Sequence, residues 1–165
     1  MLTGLNFSAA QSGSDLPTRT GFRHLPQLAG YSIDRLNATT VYHLLRKFGR
    51  SDRLPASSYQ FLRDSMVFHL RYCPRCLDEY GYISLLWRFV ALRSCPQHGC
   101  DLLDRCGHCG GMIPLLSNGL RLGICPTCQG DLRRCSSPVS PPDVFQASQQ
   151  AAAEFSFLLL SLIHI

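Results

Sequence analysis

Nothing after Met1 resembles a secretion leader: there is no charged stretch followed by an apolar run and a small-residue cleavage site. Without one, the nine cysteines read as thiols kept reduced in a cytosol, not as a disulfide framework. There is also no Gly-rich phosphate loop, no Ser-His-Asp arrangement and no spare His beside a Glu on a helix. The usual signatures of nucleotide binding, acyl transfer and metal-dependent hydrolysis are therefore missing, and the expectation is a protein that is not an enzyme. His24, His43 and His69 are scattered among helical residues and read as core or surface. The nearly all-apolar stretch Phe155–Ile165 is shorter than the roughly 17–25 residues a membrane helix needs, so no membrane partner is expected.

What is present is concentrated between Cys73 and Cys128. Cys73-Pro-Arg-Cys76 is followed by an eighteen-residue gap and Cys95-Pro-Gln-His98. Cys106-Gly-His-Cys109 is followed by a fifteen-residue gap and Cys125-Pro-Thr-Cys128. Two residues between paired ligands let the backbone curl so that both side chains reach one ion, and the long gap brings the second pair across. A lone Cys-x-x-Cys also fits a redox dithiol; four pairs in series predict two zinc ions, one on three Cys and one His, the other on four Cys. With four protein ligands each, no position is open for a reacting water, so both zincs are expected to be structural. Cys100 and Cys135 are left over, as buried fillers or as replacements for an assigned ligand. His108, between two ligands, can stand in for one, although such positions usually point outward.

The 165 residues suit one domain or two small ones, and 45% hydrophobic residues suit a globular chain. The region Cys73 to Cys135 is too short for a large core, and metal can replace core there. The formal charge is +5, but seven thiolates and two zincs would bring it to about +2. Residues Met1–Tyr72 carry nine Lys/Arg against four Asp. Affinity for a polyanion is therefore expected there.

Taken in order, residues 1–20 are a Gly/Ser-rich flexible lead-in and residues 21–72 a helical region. Leu25, Leu28 and Ala29 keep helical spacing, Gly30 breaks it, and Ser32 or Asp34 can cap a turn at Ile33–Leu36. A helix over Thr40–Phe48 follows, its stripe Val41, Leu44, Leu45 and Phe48 leaving Arg46, Lys47, Arg50 and Arg53 outside. Two readings stand: a helix-turn-helix offering these four to DNA, or a small bundle with solvated arginines. A third helix is predicted from Tyr59 to about Leu70, with Tyr59, Leu62, Met66 and Val67 inward and Phe61 and Phe68 widening the apolar arc. Residues 73–104 form the first zinc module. Its run Leu85–Arg93 does not separate helix from strand. Trp87 either fills the core or, with Arg88, anchors a partner. Residues 105–135 form the second module, zinc-ribbon-like, with a hairpin of Met112–Leu116 and Leu120–Ile124 around Ser117-Asn118-Gly119. Gly107, Gly110 and Gly111 suit tight turns with positive φ. Residues 136–165 read as a Pro/Ser linker without packing capacity, then helix formers and an apolar tail like the opening helix of a further domain. The fold class expected is small α+β: a helix-turn-helix-like region followed by two zinc-ribbon or knuckle modules.

The set Arg71-Tyr-Cys-Pro-Arg-Cys-Leu-Asp-Glu, then Trp87-Arg88, then Cys95-Pro-Gln-His98 with Leu102-Leu103, then Cys106-x-x-Cys109, resembles the TniQ family. It covers Arg71 to Cys128 closely and Leu25–Leu70 loosely. A Glu-Ser-Leu-x-Ser-Trp-Leu-type stretch, often seen near the family's start, is missing, so Met1–Arg19 is expected to replace or truncate it. The resemblance implies a non-enzymatic target-selection adaptor in bacterial DNA transposition with an N-terminal helix-turn-helix and tandem zinc modules. Its partners would be a target-recognition element, either DNA or a CRISPR effector ribonucleoprotein, and an AAA+ transposition ATPase. It also implies Cys73, Cys76, Cys95 and His98 as one zinc site and Cys106, Cys109, Cys125 and Cys128 as the other. The alternative is a zinc-containing, sequence-specific DNA-binding regulator, which salt-dependent affinity for one duplex site would favour.

Overall fold

The computed structural model describes residues 64–115 and 121–160, together with Gly30 and Ser32, with side chains as far as Phe157. The chain divides into Met1–Phe61 with Phe157–Ile165, and a second unit, Leu62–Ser156, to which the fold described below belongs. It is a small α+β unit in which short paired segments surround two clusters of cysteine and histidine. The stretch 40–53, with Arg46, Lys47, Arg50 and Arg53, lies outside the described residues, as does the turn Ser117-Asn118-Gly119. Among the described residues, no helix is long and apolar enough to cross a membrane.

Helix α1 (Pro74–Tyr80) begins at a proline, whose fixed φ suits the first turn and whose missing N–H is not needed there. Cys73 holds the N-cap in extended conformation without a side-chain cap, because its thiol turns towards His98. Gly81, left-handed at φ 64, ends the helix by donating its N–H to Leu77 O. The helix buries Pro74, Cys76 and Leu77 and meets the 3-10 turn Leu132–Arg134.

The helix expected to reach Leu70 stops at Ser65. Beyond it Met66 pairs with Phe89, His69 with Pro114 and Tyr72 with Leu103. Val67 N–H donates to Arg88 O at 2.8 Å, Leu70 N–H to Ile113 O at 3.0 Å, and Tyr72 and Leu103 exchange both bonds at 2.9 Å. Tertiary pairing overrides the helical spacing, since extension puts Met66, Leu70 and Tyr72 into the core while Phe68, expected inside, is exposed. The apolar runs of the second module also pair elsewhere: Met112 with Arg105, Pro114 with His69 and Ile124 with Asp131.

Leu85–Arg88 is a 3-10 turn, started by Ser84, whose Oγ accepts from Leu86 N–H at 3.3 Å. It turns Trp87 and Arg88 inward, to 3% and 5% exposure, the core-filling arrangement of the two expected for Trp87. Trp87 stacks on Tyr82 with ring centroids 6.4 Å apart. Arg88 Nε and Nη2 donate to Val67 O at 3.2 and 2.9 Å, and Arg71 Nη2 donates to Phe89 O. Burial lowers both guanidinium pKa values to about 10, which leaves them charged at neutral pH.

The expected Pro/Ser linker packs. Val139 pairs with Cys100, Asp101 N–H donates to Pro138 O at 3.0 Å, Ser140 N–H donates to Gly99 O at 2.9 Å, and Ser140 Oγ donates to Asp101 Oδ1. Prolines do not prevent this, because the segment needs few N–H donors and its hydroxyls supply the rest. Helix α2 (Pro142–Leu160) includes the expected helix formers and lies on the first module. Ser148 Oγ accepts from the N–H groups of Arg93 and Ser94, both at 3.1 Å. Phe155 stacks on Phe89 with centroids 4.0 Å apart, and Ala152 is buried.

Ser148→Ala should leave two backbone donors without their acceptor at a buried seat. We expect a loss of about 1–3 kcal/mol in denaturant unfolding, with faster amide exchange at Arg93 and Ser94.

Candidate metal centres

Three of the four ligand pairs adopt one local structure. The residue after the second ligand donates its N–H to the carbonyl of the first: Gly99 to Cys95 at 2.9 Å, Gly110 to Cys106 at 2.8 Å, Gln129 to Cys125 at 2.9 Å. The first ligand's N–H then bonds the carbonyl of the next residue: Cys95 to Cys100, Cys106 to Gly111, Cys125 to Gly130. Each turn is closed by a pair in the same register, Ser94 with Asp101, Arg105 with Met112 and Ile124 with Asp131. The closing residue is left-handed every time, at φ 61, 68 and 60, and only in the third is it not glycine. The expectation of positive φ therefore holds for Gly110 but not for Gly107 and Gly111. Those two are small for another reason: a Cβ would lie 3.0 Å from Cys135 Sγ at Gly107 and 3.3 Å from Cys109 Sγ at Gly111. The fourth pair, Cys73 and Cys76, is carried on the first turn of α1.

These turns bring together Cys73, Cys76, Cys95 and His98, and separately Cys106, Cys109, Cys125 and Cys128, each set with donor atoms within 4.8 Å of one another. In the first, His98 Nδ1 stands 3.4, 3.2 and 3.6 Å from the sulfurs of Cys73, Cys76 and Cys95, and Cys76 Sγ is 3.5 Å from Cys95 Sγ. In the second, Cys106 and Cys128 are 3.7 Å apart and Cys109 and Cys125 3.8 Å. Tetrahedral zinc, with Zn–S near 2.3 Å and Zn–N near 2.0 Å, separates two sulfurs by about 3.8 Å and sulfur from nitrogen by about 3.5 Å. The donor sets fit such an ion in chemistry and spacing.

The TniQ family model matches residues 2–102, more than half of the chain. The chain belongs to the TniQ family. No curated protein matches it significantly. The match starts at residue 2, so the lead-in falls inside the family region, and it ends at Leu102, ahead of the second cluster. TniQ is a family associated with transposition, as non-catalytic accessory domains.

The two centres of this TniQ chain differ in their surroundings. At the first, all three cysteines are buried, and His98 Nε2 is 3.0 Å from Glu79 Oε2. That contact fixes the proton on Nε2 and leaves Nδ1 free for a cation. Glu79 was not anticipated as part of the site; its place three residues beyond Cys76 on α1 was the available signal. At the second centre Cys106 and Cys125 are buried, but Cys109 and Cys128 are exposed. His108 is not among the donors: its Nε2–H donates to Asp131 O at 2.9 Å. Cys100 and Cys135 are buried and lie outside both four-donor sets.

Each centre holds thiols of opposite tendency. Hydrogen bonding from the Cys73 thiol, aided by the N–H groups of His98 and Gln97 and opposed by burial, lowers Cys95 to about 5. Burial, then the neighbouring Cys95, pushes Cys76 up to about 12. Burial also opposes ionisation of Cys125, yet the N–H groups of Cys128 and Thr127 outweigh it and hold Cys125 at about 6. The Gly130 N–H favours the Cys128 thiolate, but partial desolvation of the sulfur inside the cluster and its neighbours Cys109, Cys125 and Cys106 prevail and raise it to about 12. A bound cation must therefore displace protons from Cys76 and Cys128. Protons compete with metal, so affinity falls as pH falls.

Elemental analysis of the chain purified without added metal should return close to two zinc ions, retained at pH 7.5 and lost on acidification to about pH 4. With a chelator at neutral pH, the second centre should empty first, because two of its sulfurs are open to attack. Glu79→Gln should weaken the first centre about 10–100-fold in a zinc competition titration and leave the second unchanged.

Proposed function

We propose that this chain is a target-selection adaptor in bacterial DNA transposition that performs no chemistry itself. In this reading it links a target-recognition element, DNA or a CRISPR effector ribonucleoprotein, to an AAA+ transposition ATPase, and both clusters hold structural zinc. The observation that carries the reading is membership of the TniQ family over residues 2–102. The metal clusters agree with it: four protein donors each fill a tetrahedral zinc and leave no position for a substrate or activated water. The basic residues Arg46, Lys47, Arg50 and Arg53 are the proposed contact with nucleic acid.

The test is a pull-down with an AAA+ transposition ATPase, taken from beside this gene where one is encoded there, followed by transposition assays with and without the protein. Retention of the ATPase and loss of targeted insertion without the chain are expected. No retention together with unaltered insertion would refute the adaptor role.

A further inference from the structure

Cys100 lies outside the four donors of the first centre, yet its Sγ is 3.5 Å from Cys73 Sγ. That equals the distance between Cys76 and Cys95 inside the donor set. The Cys100 side chain is buried, at 6% exposure, and its backbone is fixed. Its carbonyl accepts from Cys95 N–H at 2.7 Å and from Ser94 Oγ at 3.2 Å, and the residue pairs with Val139. It is thus held by the turn that carries Cys95 and His98, whereas Cys73 enters from the N-terminus of α1. Cys135 provides the contrast. Its sulfur accepts from Gly107 N–H at 3.3 Å, interacts with the Tyr72 side chain and lies 4.0 Å from Asp131 O, with no ligand sulfur among these partners.

We propose that Cys100 is a reserve ligand of the first centre, which takes over the coordination position of Cys73 when that thiolate is lost. The proposal rests on the reading of the cluster as a zinc centre. While Cys73 is in place, the Cys100 sulfur stands beside it within hydrogen-bonding distance. Once the Cys73 sulfur is gone, a change of χ1 rotamer moves the Cys100 sulfur by about 3 Å, comparable to its distance from the vacated position. Cys100 would then give up its thiol proton to solvent and hold the ion in place of Cys73. The donor set remains three sulfurs and one imidazole: Cys76, Cys95, Cys100 and His98.

The test uses the full chain, with zinc counted by elemental analysis and the donor set read from the absorption of the cobalt(II)-substituted protein. Cys73→Ala should keep both ions and the charge-transfer intensity of a three-sulfur centre. Cys73→Ala/Cys100→Ala should lose one ion, and so should Cys76→Ala, which has no reserve. Loss of an ion from Cys73→Ala alone, repeated in Cys73→Ser, where the side chain's shape is kept, would overturn the proposal; so would insolubility of both variants. Retention of both ions by Cys73→Ala/Cys100→Ala or by Cys76→Ala would overturn it as well, since a lost ligand would then be tolerated without a spare sulfur. A wild-type chain with fewer than two ions would instead refute the zinc reading beneath it.

Discussion

Donor atoms held within 4.8 Å of one another are the constraint on which the rest of this unit depends. Sulfurs drawn out of water and closely spaced cannot all ionise without a cation, and the upward shift of Cys76 and Cys128, from desolvation first and the neighbouring thiols second, expresses that conflict. A divalent ion removes it. Structural zinc contributes an apparent ~10–16 kcal/mol of folding free energy, comparable to the ~5–15 kcal/mol net stability of a whole domain. The apolar core outside the cysteines is a short set centred on Tyr72, Leu77, Trp87, Phe89, Leu92, Ile113 and Leu132. Folding of the turns at 95–100, 106–111 and 125–130 follows from their ligands. The position of α2 follows from the first of those turns.

The ligands were legible because their spacing is local: two residues between donors fix a turn wherever it stands in the fold. The family could be read from the order of those motifs. What could not be read was set by distant partners. Met66–Leu70 has helical spacing but pairs with Phe89 and Pro114, which no local pattern reveals. Trp87 and Arg88 have the chemistry of interface anchors, and only the fold shows that both are inside. The C-terminal helix docks through Ser148 and Ala152, small residues that do not register as an apolar stripe, after a Pro/Ser stretch that has the composition of a linker.

The buried arginines answer a problem set by this kind of architecture. Isolated pairs in place of continuous strands leave carbonyl groups without ladder partners, and a buried carbonyl needs a donor. Arg88 supplies two N–H groups to Val67 O, and Arg71 reaches Phe89 O from the opposite segment. Each guanidinium thereby ties residues 66–72 to residues 87–90. A hydrophobic side chain of similar length could fill the space but could not satisfy those oxygens.

The seat of α2 has a consequence for the order in which the chain takes shape during synthesis. The four donors of the first centre are complete at His98, while Ser148, which locks the helix to that centre's turn, is made fifty residues later. At roughly 5–20 residues per second the ribosome needs about 2.5–10 s to cover that interval. For those seconds the N–H groups of Arg93 and Ser94 lack the acceptor that will cover them, and Phe89 lacks its stacking partner Phe155. A cation taken up by the first cluster in that interval would meet a turn against which the helix has not yet packed.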